Sequence, residues 1–110
     1  MASPPLPGRP ARGSRTGRPI MALLDLLGRR WALRVLWELR DAPATFRELQ
    51  ERCDNVSPTV LNTRLQELRA AGILELEPSL GYRTTTHGAQ LLAALMPLNS
   101  WATAWAKRQA

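Results

Sequence analysis

A chain of 110 residues suffices for one small domain and hardly two. It carries 15 Lys+Arg against 9 Asp+Glu, a net +6, and all of the cations but Lys107 are Arg, whose planar fork matches phosphates and guanine edges. The balance points to an anionic partner, nucleic acid first. The single cysteine excludes an internal disulfide.

The excess charge is unevenly spread. Arg9, Arg12, Arg15 and Arg18 fall in the first 19 residues, which contain no acid, so the rest of the chain is only about +2. No apolar run approaches the roughly 18–20 residues of a bilayer span, and the N-terminus lacks a secretory apolar stretch. A cytoplasmic protein with no membrane partner is expected. Residues 1–19, rich in Pro, Gly and Arg, are expected to be a disordered basic arm, either a solubilising leader or a source of extra phosphate contacts.

From residue 20 the pattern is helical, and 20–110 reads as one domain. "IMALLDLLG" predicts a short apolar helix ending near Gly28. In "RRWALRVLWELRD" the residues Trp31, Leu33, Val35, Leu36, Trp37 and Leu39 cover most of the circumference, which predicts a central buried helix with one Arg34–Glu38 polar stripe. Thr45 followed by Glu48 is a capping box for "FRELQERC", with Phe46 and Leu49 facing inward. "DNVSP" is a turn. Ser57 and Pro58 then start a helix to about residue 71, with Gly72 suited to its stop. "ILELE" alternates as a strand, "PSLG" is a turn and "YRTTT" is a second strand, giving a hairpin over 73–86. Thr86 can cap a last helix over 87–108, in which Pro97 should kink the axis or break a hydrogen bond.

The order predicts a mainly α fold with a small β-hairpin: a winged helix-turn-helix with the helix-turn-helix at 45–71, the wing at 73–86 and a dimerisation helix at 87–108. At about 100° per residue, Val60, Leu61, Leu65 and Leu68 of the fourth helix share one side, and Thr59, Asn62, Thr63, Gln66 and Ala70 the other. The second face carries no long acid, and Glu67 sits to its side. A major groove admits one helix, and amide and hydroxyl groups read base edges there. Ser57 and the free N–H groups beside it suit a phosphate. Arg64 lies near the edge of the apolar side; it either contacts phosphate or pairs with a carboxylate such as Glu48 or Glu67.

The stretch from Leu26 to Glu75 resembles the HxlR-type winged-helix transcriptional regulators of bacteria. The matching residues are Leu26-Leu27-Gly28, Arg30-Trp31, Phe46/Glu48/Leu49 and the recognition-helix pattern Ser57, Pro58, Leu61, Arg64, Leu65 and Leu68. Gly72-Ile73 and "TTTHGAQLL" complete the likeness, which runs over about residues 19–106. The resemblance implies a homodimer on a palindromic or near-palindromic operator. Three departures stand out. The Cys of the family's Cys-Pro-Val sensor is replaced in Arg18-Pro19-Ile20, Thr59 stands where Lys is common, and the wing is short, with Arg83 its only cation.

The dimer also has independent support. Apolar residues of the last helix, among them Leu95, Leu98, Trp101 and Trp105, spread wider than one core contact needs. The alternative is that both Trp pack on the chain's own first helix. The expected interface is Leu23, Leu95, Leu98, Trp101 and Trp105. The expected DNA-contacting set is Thr45, Arg47, Ser57, Pro58, Thr59, Asn62, Thr63, Arg64, Gln66 and Arg83. A small-molecule effector in a dimer cleft lined by Trp31, Trp37 or Trp101 is compatible with this reading.

Chemistry is otherwise thin. Cys53 reads as a small core residue, with a redox sensor as the alternative. His87, the only His, has no neighbours to complete a metal site. Glu75 and Glu77 alternate on a strand as a solvated face. No catalytic arrangement, metal or cofactor is expected. The rival to a DNA-binding regulator is a winged-helix protein-interaction module with weak or no DNA binding.

Overall fold

The computed structural model describes residues 4–109, in the order α1 (Pro19–Leu27), α2 (Ala32–Glu38), α3 (Phe46–Arg52), α4 (Pro58–Ala70), β1 (Leu74–Glu77), β2 (Gly81–Thr84) and α5 (Thr86–Gln109). This is a mainly α winged helix with one antiparallel hairpin. One apolar cluster ties the elements together. Val35 and Leu36 of α2, Leu49 of α3, Leu61, Leu65 and Leu68 of α4, Leu74 of β1 and Leu92 of α5 are all buried in it. No helix among the described residues is long and apolar enough to cross a membrane.

The ends of α4 are fixed by its own sequence. Pro19 and Pro58 occupy the first positions of α1 and α4, where the missing N–H is harmless. Ser57 Oγ accepts the Val60 N–H at 3.2 Å. At the far end Gly72 has φ +79°, the Ile73 N–H donates to the Leu68 carbonyl and the Gly72 N–H to the Arg69 carbonyl, both at 3.0 Å. That pair of bonds is a Schellman motif, closed by buried Leu68 and Ile73.

The hairpin pairs Leu74 with Thr84, Glu75 with Arg83, Leu76 with Tyr82 and Glu77 with Gly81. A further bridge joins Tyr82 to Ala44, with N–H···O bonds of 2.8 and 3.0 Å, so the wing is laced to the residue just before the α3 cap. Gly81 permits that approach: a Cβ there would lie 2.4 Å from the Ala44 carbonyl oxygen, and its φ is +100°.

Three expectations need correction. Residues 4–18 are held in turns. The Gly8 N–H donates to Gly17 O at 2.9 Å, Ala11 and Ser14 form a two-way bridge, and the Arg12 N–H reaches Asp25 Oδ2 at 3.2 Å. Gly8, Gly13 and Gly17 all take positive φ, which makes turns this tight accessible. Residues 1–3 of the expected arm lie outside the described residues. Helix α2 is shorter than its apolar pattern implies and is not buried all round: Val35 and Leu36 are enclosed, but Leu33 is exposed and Trp37 half-buried. The cap of α5 is Thr85, not Thr86, because Thr85 Oγ1 accepts the Gly88 N–H at 3.0 Å while donating to the Gly72 carbonyl at 2.6 Å. Helix α5 continues on both sides of Pro97, which has no N–H to donate, so one helical hydrogen bond is missing there, as expected.

Between α1 and α2 the chain turns through Trp31, which caps α2 with φ +74°. A left-handed conformation at a bulky aromatic costs about 1–3 kcal/mol and persists only where neighbours enforce it.

Candidate nucleic-acid interface

The α3–α4 turn sets the presentation of α4. The Thr45–Glu48 capping box is complete: Thr45 Oγ1 accepts the Glu48 N–H at 3.2 Å, and the Thr45 N–H reaches Glu48 Oε1 at 2.9 Å. These bonds to Thr45, backbone first, hold the Glu48 carboxyl below its ordinary pKa. Asp54 and Asn55 then take φ +56° each, residue types that tolerate the left-handed region. Gln50 Nε2 donates to the Val56 carbonyl at 3.0 Å and closes the turn.

The outward face of α4 follows the helical spacing. Thr59, Asn62 and Gln66 are exposed, while Leu61, Leu65 and Leu68 are buried. Thr63 is half-buried, and its hydroxyl donates back to the Thr59 carbonyl at 2.9 Å, which leaves its methyl and oxygen lone pairs for a partner. Ser57 and Thr45 use oxygen lone pairs in capping. Each keeps an O–H that can donate to a phosphate oxygen. Arg47 is exposed on α3, and Pro58 is exposed at the α4 start.

Two of the expected cations are engaged elsewhere. Arg64 is turned inward: its Nε donates to the Arg30 carbonyl at 2.8 Å, and its NH1 pairs with Glu67 Oε1. Of the two roles read for it, the geometry shows pairing with Glu67, and Glu48 is not its partner. Arg83 pairs across the hairpin with Glu75 at 2.9 Å. With Glu77 also on β1, the wing carries a net charge of about −1 and offers phosphate little attraction.

The sequence reading offered Glu67 as a partner for Arg64 but missed its full burial and its second arginine. Glu67 is 1% exposed, and its second oxygen pairs with Arg29. The signal was present: Glu67 is seven residues from Val60, two turns along the same inward stripe.

The opposite side of the molecule is apolar. Along α5, Leu92 is buried and Leu95 half-buried against the core, but Leu98, Trp101 and Trp105 are 60%, 56% and 48% exposed. The two Trp rings stack on each other at 5.9 Å and remain about half exposed. On α1, Ile20 and Leu24 are exposed and Leu23 is half-buried. Between α2 and α5 lies an open cleft of about 420 Å³ lined by Leu33, Arg34, Trp37, Leu95, Leu98, Asn99 and Ala102. Trp37 is the one Trp of the expected effector cleft among these lining residues.

Cys53 is fully buried at the end of α3, and burial pushes its thiol pKa up, the opposite of what a thiolate sensor needs. His87 has no set of ligands around it: among the described residues no group of three or more His, Cys, Asp or Glu could hold a metal.

A family model described as HxlR-like helix-turn-helix matches residues 26–110. The chain is 30% identical over 88 residues to the HTH-type transcriptional regulator YvaP of Bacillus subtilis, covering 74% of this chain and 82% of YvaP. The quinone-bound crystal structure of YodB from B. subtilis superposes with a TM-score of 0.71 at 31% identity, over 76% of this chain and 93% of YodB. A MarR-family transcriptional regulator from Enterococcus faecalis superposes with a TM-score of 0.72 at 29% identity, over 83% and 88% of the two chains. The fold, the exposed polar face of α4 and these likenesses agree: the chain belongs to the HxlR-like helix-turn-helix family of DNA-binding transcriptional regulators, which are not enzymes.

Proposed function

We propose that the chain acts as a homodimer that reads a near-palindromic operator with two copies of α4. The observation that carries this reading is the outward face of α4, exposed, free of acids and amide-bearing at Asn62 and Gln66. Asn and Gln pair with adenine edges, and the Thr59 and Thr63 methyls suit thymine. Thr45, Arg47, Ser57 and the N–H groups beside Pro58 hold phosphates on either side. Arg64 and Arg83 are left out of this contact set because carboxylates already engage them.

The dimer is supported by the uncovered apolar residues Ile20 and Leu24 of α1 and Leu98, Trp101 and Trp105 of distal α5, which suit an interface. A twofold arrangement places the two α4 helices about 34 Å apart, one turn of DNA. The cleft beside Trp37 adjoins that apolar face and favours a second reading, an apolar effector that tunes the dimer.

Selection of bound duplexes from a random pool at near-physiological salt tests the proposal. An enriched inverted repeat with half-sites about one turn apart is the expected result. Asn62→Ala should then change preference by about 1–3 kcal/mol at particular base pairs. Recovery of unenriched DNA would instead support the protein-interaction module, toward which the acidic wing leans.

A further inference from the structure

The joint between α1 and α2 is gripped by the recognition helix through two directional contacts, which a third contact within that helix ties together. Glu67 Oε2 pairs with Arg29, Glu67 Oε1 pairs with Arg64, and Arg64 Nε donates to the Arg30 carbonyl at 2.8 Å. The next residue, Trp31, is the one held at φ +74°. We propose that Glu67 is a positioning residue of DNA recognition: with Arg29 and Arg64 it fixes the rotation of α4 relative to α1, and so the aim of the base-reading face.

Three points support this role. A buried ion pair is seldom a net source of stability, because desolvation offsets the attraction and apolar residues of similar size serve as well or better. What the pair supplies is direction: a guanidinium fork bonds in one plane, and here two forks meet the two oxygens of one carboxylate. Rotation also matters greatly at a groove. Side-chain tips lie about 5–6 Å from a helix axis, so turning α4 by about 20° moves them about 2 Å, enough to break a hydrogen bond to a base.

The placement of the contacts adds to this. Arg29 and Arg30 directly follow α1, whose outer side carries exposed Ile20 and Leu24. The Glu67–Arg29 and Arg64–Arg30 contacts therefore connect the helix expected at the dimer interface to the helix expected in the groove. This part of the inference rests on the dimeric reading above, and the in-chain part does not.

The test uses the full chain and two readouts. Spin labels at Leu24→Cys and Gln66→Cys, in a Cys53→Ala background, report the α1–α4 distance distribution without DNA. Affinity for the selected duplex relative to a scrambled one reports recognition. Glu67→Gln should leave helix content unchanged, broaden the distance distribution, and lower the affinity ratio about tenfold or more. A second variant, Arg29→Met/Arg64→Met/Glu67→Met, keeps the volume apolar and should melt no lower than the parent while still losing the ratio. A merely structural role would move melting and leave the ratio alone. An unbroadened distribution in Glu67→Gln, or a parental ratio in the apolar variant, would overturn the proposal. A parent chain that prefers no duplex counts against the dimeric operator reading instead, and the distance distribution then decides the role of Glu67 alone.

Discussion

Helix α4 and the distal half of α5 both turn a face to solvent, yet they are held in different ways. Helix α4 is tied at each end by its caps and along its inner side by Leu61, Leu65, Leu68 and the Glu67 contacts. Its free face is polar and needs nothing further from the chain. From residue 96 onward α5 touches little of its own domain, and the face it leaves open carries Leu98, Trp101 and Trp105. Water tolerates the first surface well and the second poorly. A pinned polar helix suits repeated, reversible contact with DNA, whereas an unpinned apolar one suits an interface that is seldom exposed.

Breaking the α5 side should give the largest effect. Trp101→Ala with Trp105→Ala removes two aromatic anchors, and such residues commonly contribute about 2 kcal/mol or more each to an interface. Sedimentation equilibrium should show association of the proposed dimer weakened more than about a hundredfold, with circular dichroism unchanged. An unaltered mass distribution would place the interface elsewhere.

Next in size is the joint where α5 leaves the core. A Cβ on Gly88 would sit 2.1 Å from the Ile73 carbonyl oxygen, a backbone atom that cannot step aside. Gly88→Ala should destabilise the domain by about 1–3 kcal/mol in urea titration, as overpacking does. No change in the urea midpoint would mean that α5 is as loosely held at its foot as it is at its tip.

The α4 side should respond more gently. Ser57→Ala removes a cap that accepts the Val60 N–H, worth about 1 kcal/mol in stability by thermal melting. Smallest is the acid response of the α3 cap. The carboxyl of Glu48 titrates below its ordinary value in the folded chain because Thr45 hydrogen-bonds its charged form. Its contribution is therefore complete above the unfolded pKa of about 4.3 and is lost as pH falls through the lower, folded value. Glu48→Gln should flatten the stability–pH curve in that acid window and leave the slope near neutrality as it was. An identical acid slope in both proteins would show that the capping box does not govern it.

Much of the helix-turn-helix was legible because its determinants are local. Ser57 to Val60, Thr45 to Glu48 and Gly72 to Arg69 all act within three residues, so spacing alone reveals them. The division of α4 into inner and outer faces follows from the helical repeat in the same way. The engagement of Arg64 and Arg83 was not decided by spacing. Arg64 sits three residues from Glu67, yet its direction is fixed by the Arg30 carbonyl, 34 positions away. Arg83 is neutralised only because the hairpin register places it opposite Glu75.

The sequence by itself thus determined the order of the elements, the start of α3, both ends of α4, which side of α4 is apolar, and that Trp101 and Trp105 share a face. Tertiary structure decided the rest. It buried Glu67 between two arginines, moved the α5 cap to Thr85 through its bond to Gly72, laced Tyr82 to Ala44, and left distal α5 beyond the reach of its own core. The reason is one of range. Caps and periodicity are short-range properties of a chain. Charge pairing, burial and exposure depend on which distant segments the packed core brings alongside.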